Sequence, residues 1–128
     1  MTLQELATIA EYNWPIKFAI INNGTLGMVR QWQELFYGDN IVSTPLKNPD
    51  FVKLAEAFGV KGLRAERKDQ VVPAIHAAME HDGPVVVDFR VTYDENIYPM
   101  VPPGASLDET IEVPTSQTDK AAKQEVKA

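Results

Sequence analysis

Two adjacent carboxamides and a glycine, Asn22-Asn23-Gly24, end an apolar run from Ile16 to Ile21 and precede a second apolar-rich segment, Leu26 to Tyr37. A strand, a tight turn and a helix in that order put the turn at the carboxyl end of a strand, where open α/β sheets gather ligands. The helix that follows presents free N–H groups and a partial positive charge, a setting for phosphate. Gly24 and Gly27 allow close approach of the backbone to a ligand. Asn23 supplies an amide oxygen, a hard donor suited to a magnesium ion beside phosphate oxygens. The same residues also make an ordinary Asn-Gly turn that only joins two elements. Residue type and spacing leave both readings open.

The elements that would hold this turn are legible around it. Thr2 and Glu5 form a capping-box pattern, and Leu3, Leu6, Ala7 and Ala10 follow as a helical stripe that Asn13-Trp14-Pro15 ends. Ile16 to Ile21, with β-branched residues and Phe18, predicts a strand buried on both faces. Leu26 to Tyr37 predicts a helix stopped by Gly38-Asp39-Asn40, and residues 39–48 an irregular loop. Asn48 as N-cap and Pro49 at the first position open a third helix through Phe51, Leu54, Ala55 and Phe58, with Gly59 just past its end. Gly62 to Glu66 is a short strand. Asp69 to His81 is a helix with Val72, Ile75 and Met79 on one face and Pro73 near its first turn. Val85 to Val91 is the strongest strand, and Tyr98 to Gly104 an ordered loop with apolar anchors. The polar tail, 113–128, is expected to be disordered.

Alternating apolar strands and helices predict an α/β fold, a partial parallel sheet with helices on both faces. About three strands are available, and the chain opens on a helix without a strand before it. Residues 1–112 are therefore expected to form the later part of a larger α/β domain, with a bare sheet edge and marginal stability.

Composition narrows the function. The 128 residues, 45% hydrophobic and 23% charged, suit one small globular domain. Twelve Lys and Arg against eighteen Asp and Glu give a net charge of −6, which argues against nucleic acid or an anionic membrane as partner. The absence of cysteine removes disulfides, zinc thiolates and thiol nucleophiles. No apolar stretch nears the roughly 20 residues of a membrane span. With no secretory signal pattern in view, a cytoplasmic protein is the expectation.

Taken together, Asn22-Asn23-Gly-Thr-Leu-Gly-Met-Val-Arg-Gln-Trp-Gln-Glu-Leu-Phe-Tyr37 closely resembles the cofactor loop of the acetolactate synthase (acetohydroxyacid synthase) large-subunit family. Asn48 to Gly59, Asp82 to Val86, Tyr98-Pro-Met-Val-Pro-Pro-Gly104 and the opening Leu3 to Ile9 extend the resemblance over residues 2–112. It implies the C-terminal thiamine diphosphate-binding domain of an enzyme that uses thiamine diphosphate and Mg2+. The implied reaction is a carboligation. Pyruvate loses CO2 and its two-carbon remnant joins a second 2-oxo acid, toward branched-chain amino acids. It further implies a large subunit that forms homodimers or homotetramers and takes a regulatory small subunit, with FAD bound on a domain not represented here.

By the same resemblance, Asn23 matches the side-chain Mg2+ ligand and Thr25 the position whose backbone carbonyl completes the metal set. Gly24, Leu26, Gly27 and Met28 lie along the cofactor. Trp32 matches a tryptophan of the substrate channel, and Pro103 and Gly104 the segment that folds over it. Without the motif, Met28 and Trp32 read more readily as core residues, as aromatic and Met positions on a helix usually are. No catalytic residue is assigned within the chain.

The family's motif opens with Gly-Asp-Gly and closes with Asn-Asn, and these residues hold the closing half. The resemblance thus implies an N-terminally truncated fragment, expected to be inactive alone. A related thiamine-dependent 2-oxo acid decarboxylase or lyase, and a non-catalytic subunit-interaction module, are the alternatives. His76 and His81, five residues apart, do not share a helix face and read as surface histidines rather than a metal pair. Arg30 reads as a solvent-facing helix position, with a ligand-facing one as the alternative.

Overall fold

A computed structural model describes residues 2–112 of the chain. Helix α1 (Glu5–Glu11) leads into strand β1 (Lys17–Asn22), which feeds helix α2 (Gly27–Phe36). Helix α3 (Phe51–Ala57), strand β2 (Lys61–Ala65), helix α4 (Lys68–Met79) and strand β3 (Val85–Arg90) follow. A single 3-10 turn covers Leu107–Glu109.

The three strands form one parallel sheet in the order β1-β3-β2, with β3 in the middle. β3 opens with the most apolar run among the strands, and Val85, Val86 and Val87 are all buried. On one face Val86 packs with Ala55 and Val60, and around them gather Leu6 and Ala10 of α1, Phe18 and Ile20 of β1, and Phe58. On the other face Val85 and Val87 pack with Ala78 of α4, alongside Ala74, Leu63 and Phe89. Helices therefore cover both faces, as the alternation of elements requires.

Coverage is uneven. α4 lies against β2 and β3. On that side Ala19 and Ile21 of β1, in register with Val87 and Phe89, are exposed. β1 is thus buried on one face rather than two, and it pairs with a strand along one edge.

Local details depart from the sequence reading in instructive ways. Gln4, not Thr2, precedes the first turn of α1, and its side chain makes no capping bond. The N-cap of α3 is Asp50, whose carboxylate accepts from the amides of Val52 and Lys53 at 3.1 and 3.2 Å. Asn48 is released from capping and bonds Asn22 instead. Gly59 ends α3 as expected, at φ +74°, with the Val60 amide reaching back to the Ala55 carbonyl. In α4, Pro73 lies past the first turn. The face bearing Val72, Ile75 and Met79 is the exposed one, because the small Ala74 and Ala78 are what fit against the sheet. The expected disorder of 113–128 falls outside the described residues.

Candidate functional site

The turn at the end of β1 is built from two overlapping asparagine turns. The Gly24 amide donates to Asn22 Oδ1 at 3.2 Å, and the Thr25 amide donates to Asn23 Oδ1 at 3.2 Å. Gly24 sits at φ +65°, where a side chain would be strained, and open space lies where its Cβ would be. A Cβ on Gly27 would come within 3.1 Å of Asn23 Nδ2, so the bare Gly27 backbone leaves room for that carboxamide.

Asn22 and Asn23 have separate tasks. Asn22 is buried, only 4% exposed, and its carboxamide is fully engaged. Its Nδ2 donates to Asp88 Oδ1 at 2.9 Å, while its Oδ1 accepts from Asn48 Nδ2 at 3.0 Å as well as from Gly24. Asn23 is half-buried, and its oxygen makes one long bond to the Thr25 amide, with a second lone pair to spare.

Thr25 is pinned inward by its hydroxyl, which donates to the Thr44 carbonyl at 3.1 Å. The segment through Thr44 and Leu46 clasps the turn in a short antiparallel bridge. Leu26 N donates to Thr44 O at 3.0 Å and Leu46 N to Gly24 O at 2.8 Å. The Thr25 carbonyl takes no part in those two bonds.

α2 begins immediately afterwards. Leu26 is its N-cap and makes no side-chain capping bond. The first amides of a ten-residue helix are therefore without a side-chain acceptor, beside the Asn23 carboxamide. Leu26 and Met28 are exposed. An oxygen donor, an uncapped helix start and two bare glycine positions suit a divalent cation bridged to a phosphate. Among the described residues, no three His, Asp or Glu side chains converge as a metal set.

Beneath the turn lies a charge cluster. Asp88, 0% exposed, accepts from Arg64 Nε at 3.2 Å and Arg90 Nε at 3.0 Å through Oδ2. Arg64 also bonds Asp50 at 2.6 Å. The Asp50 carboxyl is held below its ordinary pKa, by the Lys53 amide foremost and then by Arg64. Arg64 is held above its own, chiefly by Asp50.

Further along α2 the surface opens. Trp32 is 39% exposed and meets Phe36 edge to face at 6.4 Å. Both Met28 and Trp32 face outward, so the reading of them as core residues is set aside. Val29, Trp32, Gln33, Tyr37, Asn40 and Val42 line a cavity of about 330 Å³. Pro103 and Gly104 form an exposed turn, with Gly104 at φ +79°, and are not among its lining residues.

Sequence reasoning missed two residues of α2. Arg30 is buried rather than solvent-facing. It bonds Glu34 at 2.9 Å and Asn96 at 2.5 Å, and lies 5.6 Å from the Tyr93 ring. Gln31 is buried as well, donating to Ile97 O at 2.8 Å and accepting from Ile97 N at 3.0 Å. Together they fasten the 93–100 segment along α2. A polar pair between apolar residues, facing a segment more than sixty positions away, gives no periodic signal. His76 is exposed and His81 half-buried against Gly83, apart from the turn.

Residues 1–89 match the family model for the thiamine pyrophosphate enzyme, C-terminal TPP binding domain. The chain belongs to that family. This thiamine pyrophosphate domain is 54% identical over 115 residues to an acetolactate synthase of Mycobacterium bovis, covering 85% of the chain and 19% of the relative. It is 44% identical over 124 residues to the acetolactate synthase large subunit of Pyropia yezoensis, covering 95% of the chain and 21% of the relative. The Corynebacterium glutamicum large subunit is 50% identical over 112 residues, 83% of the chain and 18% of the relative. A thiamine diphosphate-dependent 4-hydroxybenzoylformate decarboxylase of Rhodococcus jostii superposes with a TM-score of 0.65 at 29% identity, over 73% of the chain and 18% of that protein. The chain thus spans about a fifth of the length of the relatives it matches. No described helix is long and apolar enough to cross a membrane.

Proposed function

We propose that this thiamine pyrophosphate domain is the C-terminal part of an acetolactate synthase large subunit. In this reading the 22–28 turn takes the magnesium-bridged diphosphate of the cofactor. The observation that carries it is the Asn23 carboxamide oxygen, held by a glycine turn beside the uncapped start of α2. Asn23 Oδ1 and the Thr25 carbonyl would bind Mg2+. Gly24, Leu26, Gly27 and Met28 would lie along the diphosphate, the first amides of α2 accepting its negative charge. Thiamine diphosphate, when bound, supplies carbanion stabilisation for decarboxylation of a 2-oxo acid. The protein's part is to orient and bind. Trp32 and the cavity beside it would receive the apolar side of the second 2-oxo acid, with Pro103 and Gly104 closing over the channel in the assembled enzyme.

The identities favour this reading over a 2-oxo acid decarboxylase: 44–54% toward acetolactate synthases against 29% toward the decarboxylase. With it go a dimeric or tetrameric large subunit, a regulatory small subunit, FAD held elsewhere in the protein, and a cytoplasmic location. A protein interface formed by these residues without chemistry is the competing reading.

Calorimetric titration with thiamine diphosphate tests the turn. Binding is expected only with Mg2+, and Asn23→Ala should weaken it by at least about tenfold, the size of effect that even an outer-shell change produces. Equal binding without Mg2+, or an unaffected variant, would refute the reading. In an assay for acetolactate from pyruvate with thiamine diphosphate, Mg2+ and FAD, the 128 residues alone are expected to give no turnover, since they span about a fifth of the length of the acetolactate synthases they match.

A further inference from the structure

The turn that carries Asn23 is only as well defined as the Asn22 carboxamide beneath it. That carboxamide has an oxygen end and a nitrogen end of nearly equal shape, so something must fix which way it points. In the structure Asn22 Oδ1 takes the Gly24 amide at 3.2 Å and Asn48 Nδ2 at 3.0 Å. Reversed, it would set its NH2 group against two other donors, and the turn would lose the bond that places Gly24 at φ +65°.

The group that enforces the orientation is Asp88. Its carboxylate is wholly buried in the central strand and only accepts. Asn22 must therefore present Nδ2 to it, at 2.9 Å. Arg64 and Arg90 both bond Asp88 Oδ2, which leaves Oδ1 for Asn22. The sequence run of β3 is otherwise apolar up to this position, Val85-Val86-Val87, and a lone buried carboxylate there does nothing for the core.

We propose that Asp88 is a positioning residue for the cofactor turn, acting through the Asn22 carboxamide to fix Gly24 and hence the direction of the Asn23 oxygen. The proposal rests on the reading of that turn as the magnesium-diphosphate loop.

The experiment is nuclear magnetic resonance of the full 15N-labelled chain. Asp88→Asn keeps the shape of the side chain but offers Asn22 a donor as readily as an acceptor. It should speed exchange of the Gly24 amide about tenfold relative to the Val87 amide, the factor expected when one hydrogen bond loses its hold. Arg64→Gln and Arg90→Gln cost Asp88 an ion pair each but leave its bond to Asn22. They should lower protection at Gly24 and Val87 together, holding the ratio constant. A constant ratio in Asp88→Asn, or an equal change of ratio in Arg90→Gln, would overturn the proposal. Should Asp88→Asn fail to fold, the wild-type chain decides. Asn22 side-chain NH2 protons protected from exchange support the bond to Asp88, and protons as fast as those of an exposed asparagine refute it. Mn2+ added with thiamine diphosphate separates the two readings. Absence of paramagnetic broadening at Asn23 and Thr25 would count against the metal loop, while the exchange ratio would still report whether Asp88 sets Gly24.

Discussion

The two ends of the unit from β1 through α2 are secured by opposite means. At the turn every contact is polar and most are buried: Asp88, Asn22, Thr25 and Thr44 are all nearly inaccessible and bonded to one another or to backbone. Along the outer face of α2, one to three turns later, Met28, Val29, Trp32, Phe36 and Tyr37 are exposed, and Val29, Trp32 and Tyr37 line a cavity. An oxygen that must meet a metal ion needs placement to a fraction of an ångström, which directional hydrogen bonds provide. A surface that receives an apolar group needs area and access, and tolerates looser packing. The division of labour follows from those two demands.

The sharpest way to break the comparison is at its rigid end. Asp88→Ala leaves Arg64, Arg90 and Asn22 facing an empty acceptor site. A loss of about 2–3 kcal/mol is expected in urea unfolding, the cost of leaving the buried Asn22 donor without its charged acceptor, since Arg64 and Arg90 are partly exposed and Arg64 keeps Asp50. A loss below 1 kcal/mol would show that the cluster is not what holds this end. Gln31→Ala is the next largest. It removes both bonds to the Ile97 backbone, and a loss of about 1–3 kcal/mol is expected, with faster proteolysis at 93–100. Trp32→Ala, at the open end, should cost under about 1.5 kcal/mol, since the ring is 39% exposed and meets Phe36 only edge to face. It should instead abolish binding of apolar probes in the adjoining cavity, read by fluorescence or chemical shift. A larger stability loss there would mean that the outer face is core after all.

How much of this was legible in the sequence follows the same division. The sheet and its two layers were readable because Val85-Val86-Val87 and the Phe51, Leu54, Ala55, Phe58 stripe are local patterns with a period. The turn was readable because Asn-Asn-Gly is contiguous. What holds the turn was not. Asp88 meets Asn22 across 66 positions, and Asn48 looked like a helix cap because a carboxamide before proline commonly is one. Asp50, two residues on, takes that cap, since its carboxylate is a stronger acceptor for the amides of Val52 and Lys53. In α4 periodicity pointed to the wrong face. Val72, Ile75 and Met79 do share one side, yet only the small Ala74 and Ala78 allow the helix near β3, and hydrophobicity ignores that steric requirement. Arg30 and Gln31 were lost for a related reason: burial of polar side chains depends on a distant segment that bonds them.

The smallest expected effect lies at the margin between the two regions, where Asp50 joins the α3 cap to Arg64. Its carboxyl is depressed in the folded chain from an ordinary value of 3.8. A depressed carboxyl pKa means that the unfolded state binds the proton first as pH falls. The contribution of Asp50 is therefore complete above about pH 4 and disappears as the pH drops through the lower, folded value. Asp50→Asn should flatten that part of the stability curve by lowering the neutral plateau slightly toward the acid value, because an asparagine still caps α3 but offers Arg64 no charge. The exposed position and the screening by salt keep the effect small. An acid slope in Asp50→Asn equal to that of the wild type would refute the assignment of the depression to Asp50.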